Sequence, residues 1–259
     1  MFFRKSSVGF IVMLVLTSAL SAQTVWYVDD DASGANDGTS WTDAFVELQS
    51  ALAVAASGDE IRVAQGIYKP DYNVNTGMRT GNRTMSFQLI NGVAIKGGYA
   101  GVGSADPDAR DFTVYETVLS GDLAGNDTDD SAYHGGPDFV HAIENSYHVV
   151  TTSGTDITAI LDGFTITGGY AYGSGVNRHG AGIYNISGSP RILNCTIRAN
   201  ASDSNGGGMY NADGDPTLIN CQFIRNDSKV GVGSGGGLFN TNSHPTIINC
   251  SFLGNWANN

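Results

Sequence analysis

The sequence predicts an all-β fold, a right-handed parallel β-helix with three short strands per coil and an N-terminal capping α-helix. Three observations predict it. The chain has 35 glycines in 259 residues, one repeat recurs three times near the C-terminal end, and one segment near the N-terminal end has helical spacing. Glycine is about twice as frequent as the usual ~7%, which indicates a chain with many turns.

The first 22 residues have the pattern of a secretory signal peptide. Arg4 and Lys5 precede an apolar run over residues 8–16, and small residues follow up to Ala22, where we expect cleavage. The run is shorter than the roughly 20 residues that span a bilayer, so an uncleaved anchor is the weaker alternative. We therefore expect a secreted, extracellular or cell-surface protein, without a transmembrane span in the remaining sequence.

Composition and charge restrict the class of function. Hydrophobic residues make up 41% of the chain, enough for a packed core, which argues against a disordered protein. The formal net charge is −12, and loss of Arg4 and Lys5 with residues 1–22, which contain no acid, lowers it to −14. Nucleic-acid binding depends on clustered lysine and arginine, so that class of partner is excluded.

Residues 23–85 are predicted to form a cap region with the first strands, including a helix over 41–56. The apolar residues with helical spacing are Phe45, Leu48, Leu52 and Ala55. Ser40 and Asp43 have the spacing of a capping box, and Gly58 is placed to end the helix. Since the first coil of a solenoid exposes core and unpaired strand edges, we interpret this helix as its lid.

Residues 86–259 are predicted to form the coils, with regular repeats over 180–255. The repeated positions are Asn185, Asn211 and Asn240, then Pro190, Pro216 and Pro245, then Cys195, Cys221 and Cys250. Each series has intervals of 26 and then 29 residues. The three extra residues fall between Asn226 and Gly235, in a loop, so the register of the core is unchanged.

These repeats indicate strands rather than helical pairs, because proline, triple glycine, asparagine and β-branched residues are poor helix formers. The three strands of a coil are expected near Met209, Leu218 and Phe223. We predict a sharp bend at Asn220, since asparagine tolerates left-handed backbone angles. Coils that stack about 4.8 Å apart place identical residues on top of one another.

Stacking predicts structural ladders of identical side chains. The asparagine ladders are Asn194, Asn220 and Asn249, and Asn200, Asn226 and Asn255. Cys195, Cys221 and Cys250 form a third series. Three cysteines in an exported protein also suggest a disulfide or a reactive thiol. Stacked Cβ atoms about 4.8 Å apart exceed the ~3.5–4.5 Å of a relaxed disulfide, so we favour a buried ladder of free thiols.

Two repeat motifs carry a family resemblance. Gly-Gly-Gly followed by Met209 or Leu238, paired with Phe223-Ile-Arg-Asn226, resembles the GGA[I/L/V] and FxxN repeats of the chlamydial polymorphic outer membrane proteins. The segment that opens at Trp26 is similar to bacterial surface proteins described as right-handed β-helix repeat proteins. The resemblance implies a pectate-lyase-like β-helix, a fold whose members include lyases, hydrolases, adhesins and inert stalks.

Two acidic segments have the oxygen density that calcium prefers, although neither has EF-hand spacing. The first contains Asp122, Asp127, Asp129 and Asp130, and the second contains Asp29, Asp30, Asp31 and Asp37. Solvated acidic turns are the alternative interpretation. No cofactor is predicted, and calcium is left open. The five histidines lack metal-ligand spacing, so no zinc site is predicted.

No catalytic residue is predicted. A polysaccharide lyase needs a base such as lysine or arginine beside a cation, and a hydrolase needs paired carboxylates. The non-repeated polar residues nearest the repeat strands are Arg178, His179, Asp213 and Asp215, and no family motif surrounds them.

The candidate ligand-binding residues are Tyr184, Tyr210 and Phe239. Strand alternation turns these rings outward if Ile183 and Met209 point into the core. A stripe of rings can bind sugars or a protein partner. In the alternative interpretation the rings only stack on one another and have a structural role.

Two classes of function follow from the sequence. The first is a noncatalytic secreted or cell-surface protein that uses the solenoid face for adhesion or for contact with an extracellular polysaccharide or surface protein. The alternative is a polysaccharide lyase or glycoside hydrolase with its site on the same face. The chain stops four residues after Asn255 on what the pattern predicts is an open coil, so we expect further coils or an anchor beyond it.

Overall fold

The structure is a computed structural model that describes residues 23–127, 141–228 and 233–258. The predicted signal peptide, Asp129 and Asp130 lie outside these residues. The first elements are β1 (Val25–Val28), α1 (Leu48–Val54), β2 (Glu60–Ala64), β3 (Gly66–Tyr68), β4 (Tyr72–Asn73), β5 (Met78–Arg79), β6 (Phe87–Gln88), β7 (Ala94–Tyr99), β8 (Thr117–Ser120), β9 (Val150–Thr151), β10 (Ile160–Asp162), β11 (Thr165–Thr167) and β12 (Tyr170–Ala171).

The regular coils follow these elements. Their strands are β13 (Ile183–Ile186), β14 (Arg191–Leu193), β15 (Thr196–Arg198), β16 (Ala201–Ser202), β17 (Met209–Ala212), β18 (Thr217–Ile219), β19 (Gln222–Ile224), β20 (Asp227–Ser228), β21 (Leu238–Thr241), β22 (Thr246–Ile248), β23 (Ser251–Leu253) and β24 (Trp256–Ala257). Two short 3-10 helices, Ala142–Glu144 and Gly175–Arg178, lie in the loops.

All the strands except β4 and β5 stack into four parallel sheets, in which neighbours come from successive coils. Sheet 1 has the order β1-β2-β7-β10-β14-β18-β22, sheet 2 β3-β8-β11-β15-β19-β23, sheet 3 β12-β16-β20-β24, and sheet 4 β6-β9-β13-β17-β21. Strands β4 and β5 form an antiparallel hairpin beside the first coils. This arrangement confirms the predicted right-handed parallel β-helix with an N-terminal helix.

The regular coils contain the three predicted strands and one more. Strands β17, β18 and β19 lie at Met209, Leu218 and Phe223, where the sequence places them. The additional strand is the two-residue strand of sheet 3. Its stacked residues are Tyr170, Ala201, Asp227 and Trp256 at the first position and Ala171, Ser202, Ser228 and Ala257 at the second, and only Ser202 and Ser228 match between adjacent coils. A repeat search based on identical residues therefore does not reveal it.

The predicted bend at Asn220 is confirmed. Asn194, Asn220 and Asn249 have φ angles of 51°, 56° and 51°, all in the left-handed region. The bend ends a strand of sheet 1 and starts a strand of sheet 2. Both Leu218, before the bend, and Cys221, after it, are therefore fully buried.

The main apolar core runs along the solenoid axis, and two smaller clusters lie outside it, one around Trp41 and one around Tyr170. Inward side chains of successive coils stack in register, as at Ile183 on Met209 and at Ile197 on Phe223, and all four are fully buried. Each coil packs mainly on its two neighbours. The contacts between stacked side chains of adjacent coils therefore stabilise the solenoid.

The helix is shorter than predicted, spanning Leu48–Val54 instead of 41–56. Ser40 and Asp43 do bond to each other, with Ser40 Oγ donating to Asp43 Oδ2 at 3.0 Å. The backbone around them, however, bonds outside the helix. Gly34 N donates to Thr42 O, and the N–H of Phe45 donates to the carbonyl of Tyr27 in β1. These bonds draw residues 42–45 out of helical geometry, and the helix begins only at Leu48.

Helix α1 covers the first coils through one apolar face. Leu48 and Ala51 are buried in the main core, and Leu52 and Ala55 pack against it. Gly58, with φ of 105°, lies in the turn after the helix, whose C-cap is Ala55. Among the described residues, no helix has the length and apolar character that crossing a bilayer requires.

Candidate functional site

Sheet 4 carries a row of outward rings, which we call the aromatic ladder: Tyr184, Tyr210 and Phe239. Their strands pair in register. The ring centroids lie 5.7 Å and 5.5 Å apart, with interplanar angles of 10° and 7°. His148 continues the stack at 4.6 Å from Tyr184, and His179 lies 4.7 Å from the ring of Tyr210.

The stacking decides which parts of the aromatic ladder a ligand can reach. Tyr184 is only 8% exposed, whereas Tyr210 and Phe239 are half-buried. Because the rings cover each other's faces, the ladder presents ring edges to solvent instead of a flat platform. Neither the Tyr184 nor the Tyr210 hydroxyl makes a hydrogen bond within the described residues, and that of partly exposed Tyr210 is available to a ligand. Burial raises the pKa of Tyr184, which keeps its hydroxyl protonated as a donor.

The ladder of Asn194, Asn220 and Asn249 lies on the surface between sheets 1 and 2. Asn249 Nδ2 donates to Asn220 Oδ1 at 2.7 Å, and Asn220 Nδ2 donates to Asn194 Oδ1 at 3.0 Å. Asn194 Nδ2 then donates to Asp162 Oδ1 at 2.7 Å. All donors point the same way, and the row ends on a carboxylate that accepts a charge-assisted bond. Arg110 balances this carboxylate through Asp162 Oδ2 at 3.0 Å.

Two further asparagine ladders lie inside the coils. Asn200 Nδ2 donates to Asn226 Oδ1 at 3.0 Å, and Asn226 Nδ2 donates to Asn255 Oδ1 at 2.9 Å. The other ladder joins the repeated asparagines of sheet 4, with Asn185 donating to Asn211 and Asn211 to Asn240 at 2.6 and 2.9 Å. The sequence shows the second series as a repeat, but the ladder itself follows only from the side-chain geometry.

The three cysteines are free thiols in register. Cys195 and Cys221 are buried, and Cys250 is partly buried. Each Sγ lies near backbone carbonyls of its own coil or the preceding one, as at Cys195 Sγ and Leu193 O, 3.1 Å apart. Burial raises the pKa of Cys195 to about 12 and raises that of Cys221 as well. These thiols therefore stay protonated at neutral pH.

The polar residues considered for catalysis are not brought together. Arg178 and His179 precede β13, whereas Asp213 and Asp215 follow β17, so a four-residue strand about 13 Å long separates the pairs. Each residue also has a structural contact. Arg178 Nε bonds Asp203 Oδ2 at 2.7 Å, Asp213 accepts from Asn242, and Asp215 accepts from the backbone of His244. No acid–base pair forms from them.

The first acidic segment gathers carboxylates from two loops. Asp122, Asp127 and Glu144 place carboxylate oxygens within 4.8 Å of one another. Asp122 also accepts the backbone N–H groups of Gly125 at 2.6 Å and Asp127 at 3.1 Å. Asn145 Nδ2 donates to Asp127 Oδ2 at 2.7 Å. The sequence did not identify Glu144, because a separate 3-10 helix carries it.

The second acidic segment brings Asp29, Asp30 and Asp31 together within the same distance, 4.8 Å. Asp29 is buried and accepts the backbone N–H of Val102 at 2.6 Å. Burial raises the pKa values of Asp29 and Asp30. Asp37 is not in this cluster and bonds Thr39 instead. Both clusters have the oxygen ligands that suit a hard cation, and calcium at either one stays a prediction.

The structure shows a further feature, which we call the axial groove. It is a cavity of about 300 Å³ along sheet 2, beside the surface asparagine ladder. Its lining residues are Phe112, Thr113, Glu116, Thr165, Asn194, Thr196, Asn220 and Gln222. A more open cavity of about 480 Å³ lies between helix α1 and the β4–β5 hairpin.

The comparisons with known proteins find similarity to solved structures only. No protein-family model and no curated protein match the chain. The crystal structure of pectate lyase Pel9A is similar at 15% identity and a TM-score of 0.48, over 92% of this chain and 48% of that one. A rhamnogalacturonan lyase is similar at 14% identity and a TM-score of 0.33, over 89% and 56%. This chain spans about half the length of each. The chlamydial resemblance stays a prediction.

Proposed function

We propose that the protein is a noncatalytic β-helix, secreted or at the cell surface, that contacts an extracellular polysaccharide or surface protein through sheet 4. The observation that carries this proposal is the aromatic ladder, in which Tyr210 and Phe239 on adjacent coils are partly exposed. Tyrosine suits such contacts, because it combines a large apolar ring with a polar tip and loses little conformational freedom on binding.

The arrangement of polar groups supports contact more than catalysis. Arg178 and His179 lie at one end of sheet 4, and Asp213 and Asp215 lie at the other. Burial and the neighbouring Arg178 lower the pKa of His179, so this imidazole is neutral at physiological pH. A neutral imidazole packed beside Tyr210 serves the stack of rings, and the carboxylate of nearby Asp203 is paired with Arg178.

One observation favours the alternative, a polysaccharide lyase. Lys69 Nζ donates to Leu123 O at 3.2 Å, in the loop that also holds Asp122 and Asp127. A lysine is therefore adjacent to a candidate cation site, which is the pairing that proton abstraction from an acidic sugar needs once the amine has lost its proton. This constellation lies away from the aromatic ladder, so separate variants test the two functions.

Replacing Tyr210 with phenylalanine tests the contact directly. The ring and both of its stacking partners remain, so we expect an unchanged thermal midpoint. Loss of the hydroxyl donor should weaken binding to a panel of extracellular polysaccharides and to cells several-fold. Tyr27→Phe, at the other end of the solenoid, is the matched control and should bind normally.

Tyr210→Ser separates stacking from contact. It removes the ring contacts with Tyr184 and Phe239, so we expect a stability loss of about 1–3 kcal/mol. Denaturant unfolding measures this loss, and binding is compared under conditions where the variant is folded. If Tyr210→Phe and folded Tyr210→Ser both bind as the unaltered protein does, the aromatic ladder is structural and the proposal fails.

A further inference from the structure

One wall of the axial groove is a loop that Arg110 holds against the solenoid. Arg110 Nε donates to Gly97 O at 2.9 Å, and its Nη2 donates to Asp162 O at 3.1 Å. The loop packs so closely that a Cβ at Gly98, where φ is 86°, would lie 2.9 Å from Phe112 Cα. Phe112 is nevertheless 40% exposed. The backbone at Phe112 is thus held against the solenoid while its ring stays open to solvent.

The floor of the groove is a row of outward polar side chains on sheet 2. Thr165, Thr196 and Gln222 stack in register on three successive coils. Within the described part of the chain, the Thr196 hydroxyl and the Gln222 amide have no hydrogen-bond partner. Packing does not require such groups, which remain available to a ligand that offers both donors and acceptors.

The other side of the groove is the surface asparagine ladder. Asn194 and Asn220 each use one N–H and one oxygen lone pair to join the neighbouring coils. A carboxamide has two N–H donors and two acceptor lone pairs, so each residue keeps one of each for a ligand. The ladder bonds hold the amides in fixed orientations, which lowers the entropy that binding costs.

The charge of the groove selects against anionic ligands. Glu116 is the one carboxylate among the lining residues, and none of them is basic. Glu116 Oε1 accepts the hydroxyl of Thr165 at 2.7 Å, which fixes the position of its carboxylate. A carboxylate accepts strong bonds from hydroxyl donors and repels uronate or sulfate groups.

We propose that the axial groove binds a neutral polysaccharide, lying extended and parallel to the solenoid axis. Coils repeat about every 4.8 Å, so the groove offers similar polar groups at intervals close to one sugar residue. Amides, hydroxyls and Glu116 bond the sugar hydroxyls, and one sugar ring packs on the face of Phe112. This site lies on sheet 2, apart from the aromatic ladder of sheet 4.

Isothermal titration calorimetry tests the site with soluble xyloglucan, galactomannan and mixed-linkage β-glucan, and with polygalacturonate as the anionic comparison. We expect at least one neutral polymer to bind and polygalacturonate to bind more weakly. Phe112→Ala and Gln222→Ala should each weaken binding at least fivefold. Both side chains are exposed, so thermal midpoints should not change.

The control lies in the same sheet, and a further variant tests the charge of the groove. Ser251→Ala changes the next residue of the same outward row, beyond the groove, and should bind normally. Glu116→Gln should weaken binding of the neutral polymer and narrow its advantage over polygalacturonate, because the charge that repels uronates is removed. The inference is overturned if no neutral polymer binds, if polygalacturonate binds more tightly, or if Phe112→Ala and Gln222→Ala bind as the unaltered protein does.

Tyr210→Phe in the same titrations distinguishes this inference from the proposed function. It should leave binding in the groove unchanged. If Tyr210→Phe abolishes binding while the groove variants keep it, contact through sheet 4 stands and the groove inference falls. If the groove variants lose binding while Tyr210→Phe keeps it, the groove inference is supported. Sheet 4 is then not the polysaccharide contact.

Discussion

Replacing Asn226 with alanine is expected to destabilise the β-helix by about 3–5 kcal/mol, because several buried polar groups lose their partner together. Asn226 is fully buried. Its amide donates to Ile197 O at 2.8 Å and to Asn255, and it accepts from the side chain and backbone of Asn200. Alanine leaves the Ile197 carbonyl and the Asn200 backbone N–H without this partner inside the coil, whereas Asn255 Oδ1 keeps the backbone N–H of residue 226. A shift in the urea midpoint measures the loss.

Asn220→Gly is the matched control, in the exposed ladder. Glycine adopts the φ of 56° at this position without strain, and water replaces the two ladder bonds. We expect a loss of about 1 kcal/mol. Equal losses for the two variants would show that burial does not set the strength of the asparagine ladders.

The thiol groups are expected to react very slowly while the protein is folded. The thiolate is the reactive species, and burial raises the pKa of Cys195 from 9.0 to about 12. Near neutral pH this lowers the thiolate fraction roughly a thousandfold relative to the unfolded chain. Partly buried Cys250 should react first. All three thiols should become reactive in denaturant without a reductant, and finding one would show that a disulfide had formed.

The same pKa shifts predict how stability depends on pH. Below about pH 9 these thiols are protonated in both states and contribute no pH dependence. Above it the unfolded chain releases their protons while folded Cys195 and Cys221 hold theirs, so the free energy of unfolding falls toward pH 12. Denaturant unfolding at several pH values, compared with a Cys195→Ala variant, measures this part of the slope. A slope that is the same in the variant would contradict the assignment.

The fold could be predicted because identical residues stack on identical residues. Asn220 recurs with its neighbours at shared intervals of 26 and 29 residues, and these intervals predict the bend, the register and the stacked thiols together. The strands of sheet 3 were missed because Ala201 and Asp227 stack without sharing a residue type. The start of α1 was misplaced because long-range backbone bonds of Thr42 and Phe45 override a favourable local pattern.

The candidate sites were less predictable, because they depend on where loops lie. Alternation places Tyr184 and Tyr210 outside the main core, but only the structure shows that their faces stack and that Tyr184 is buried. The axial groove joins Phe112 to Asn194, residues far apart in sequence that belong to no common repeat. Glu144 joins Asp122 for the same reason. Such juxtapositions follow from the path of each loop and not from periodicity.

Incubation with polygalacturonate and with neutral polysaccharides, with and without calcium, tests the noncatalytic function most directly. Ultraviolet absorbance detects the unsaturated ends that a lyase forms, and a reducing-end assay detects hydrolysis. We predict binding without new chain ends in either condition. Calcium-dependent unsaturated products that disappear in a Lys69→Ala variant would contradict the proposal and establish the lyase alternative.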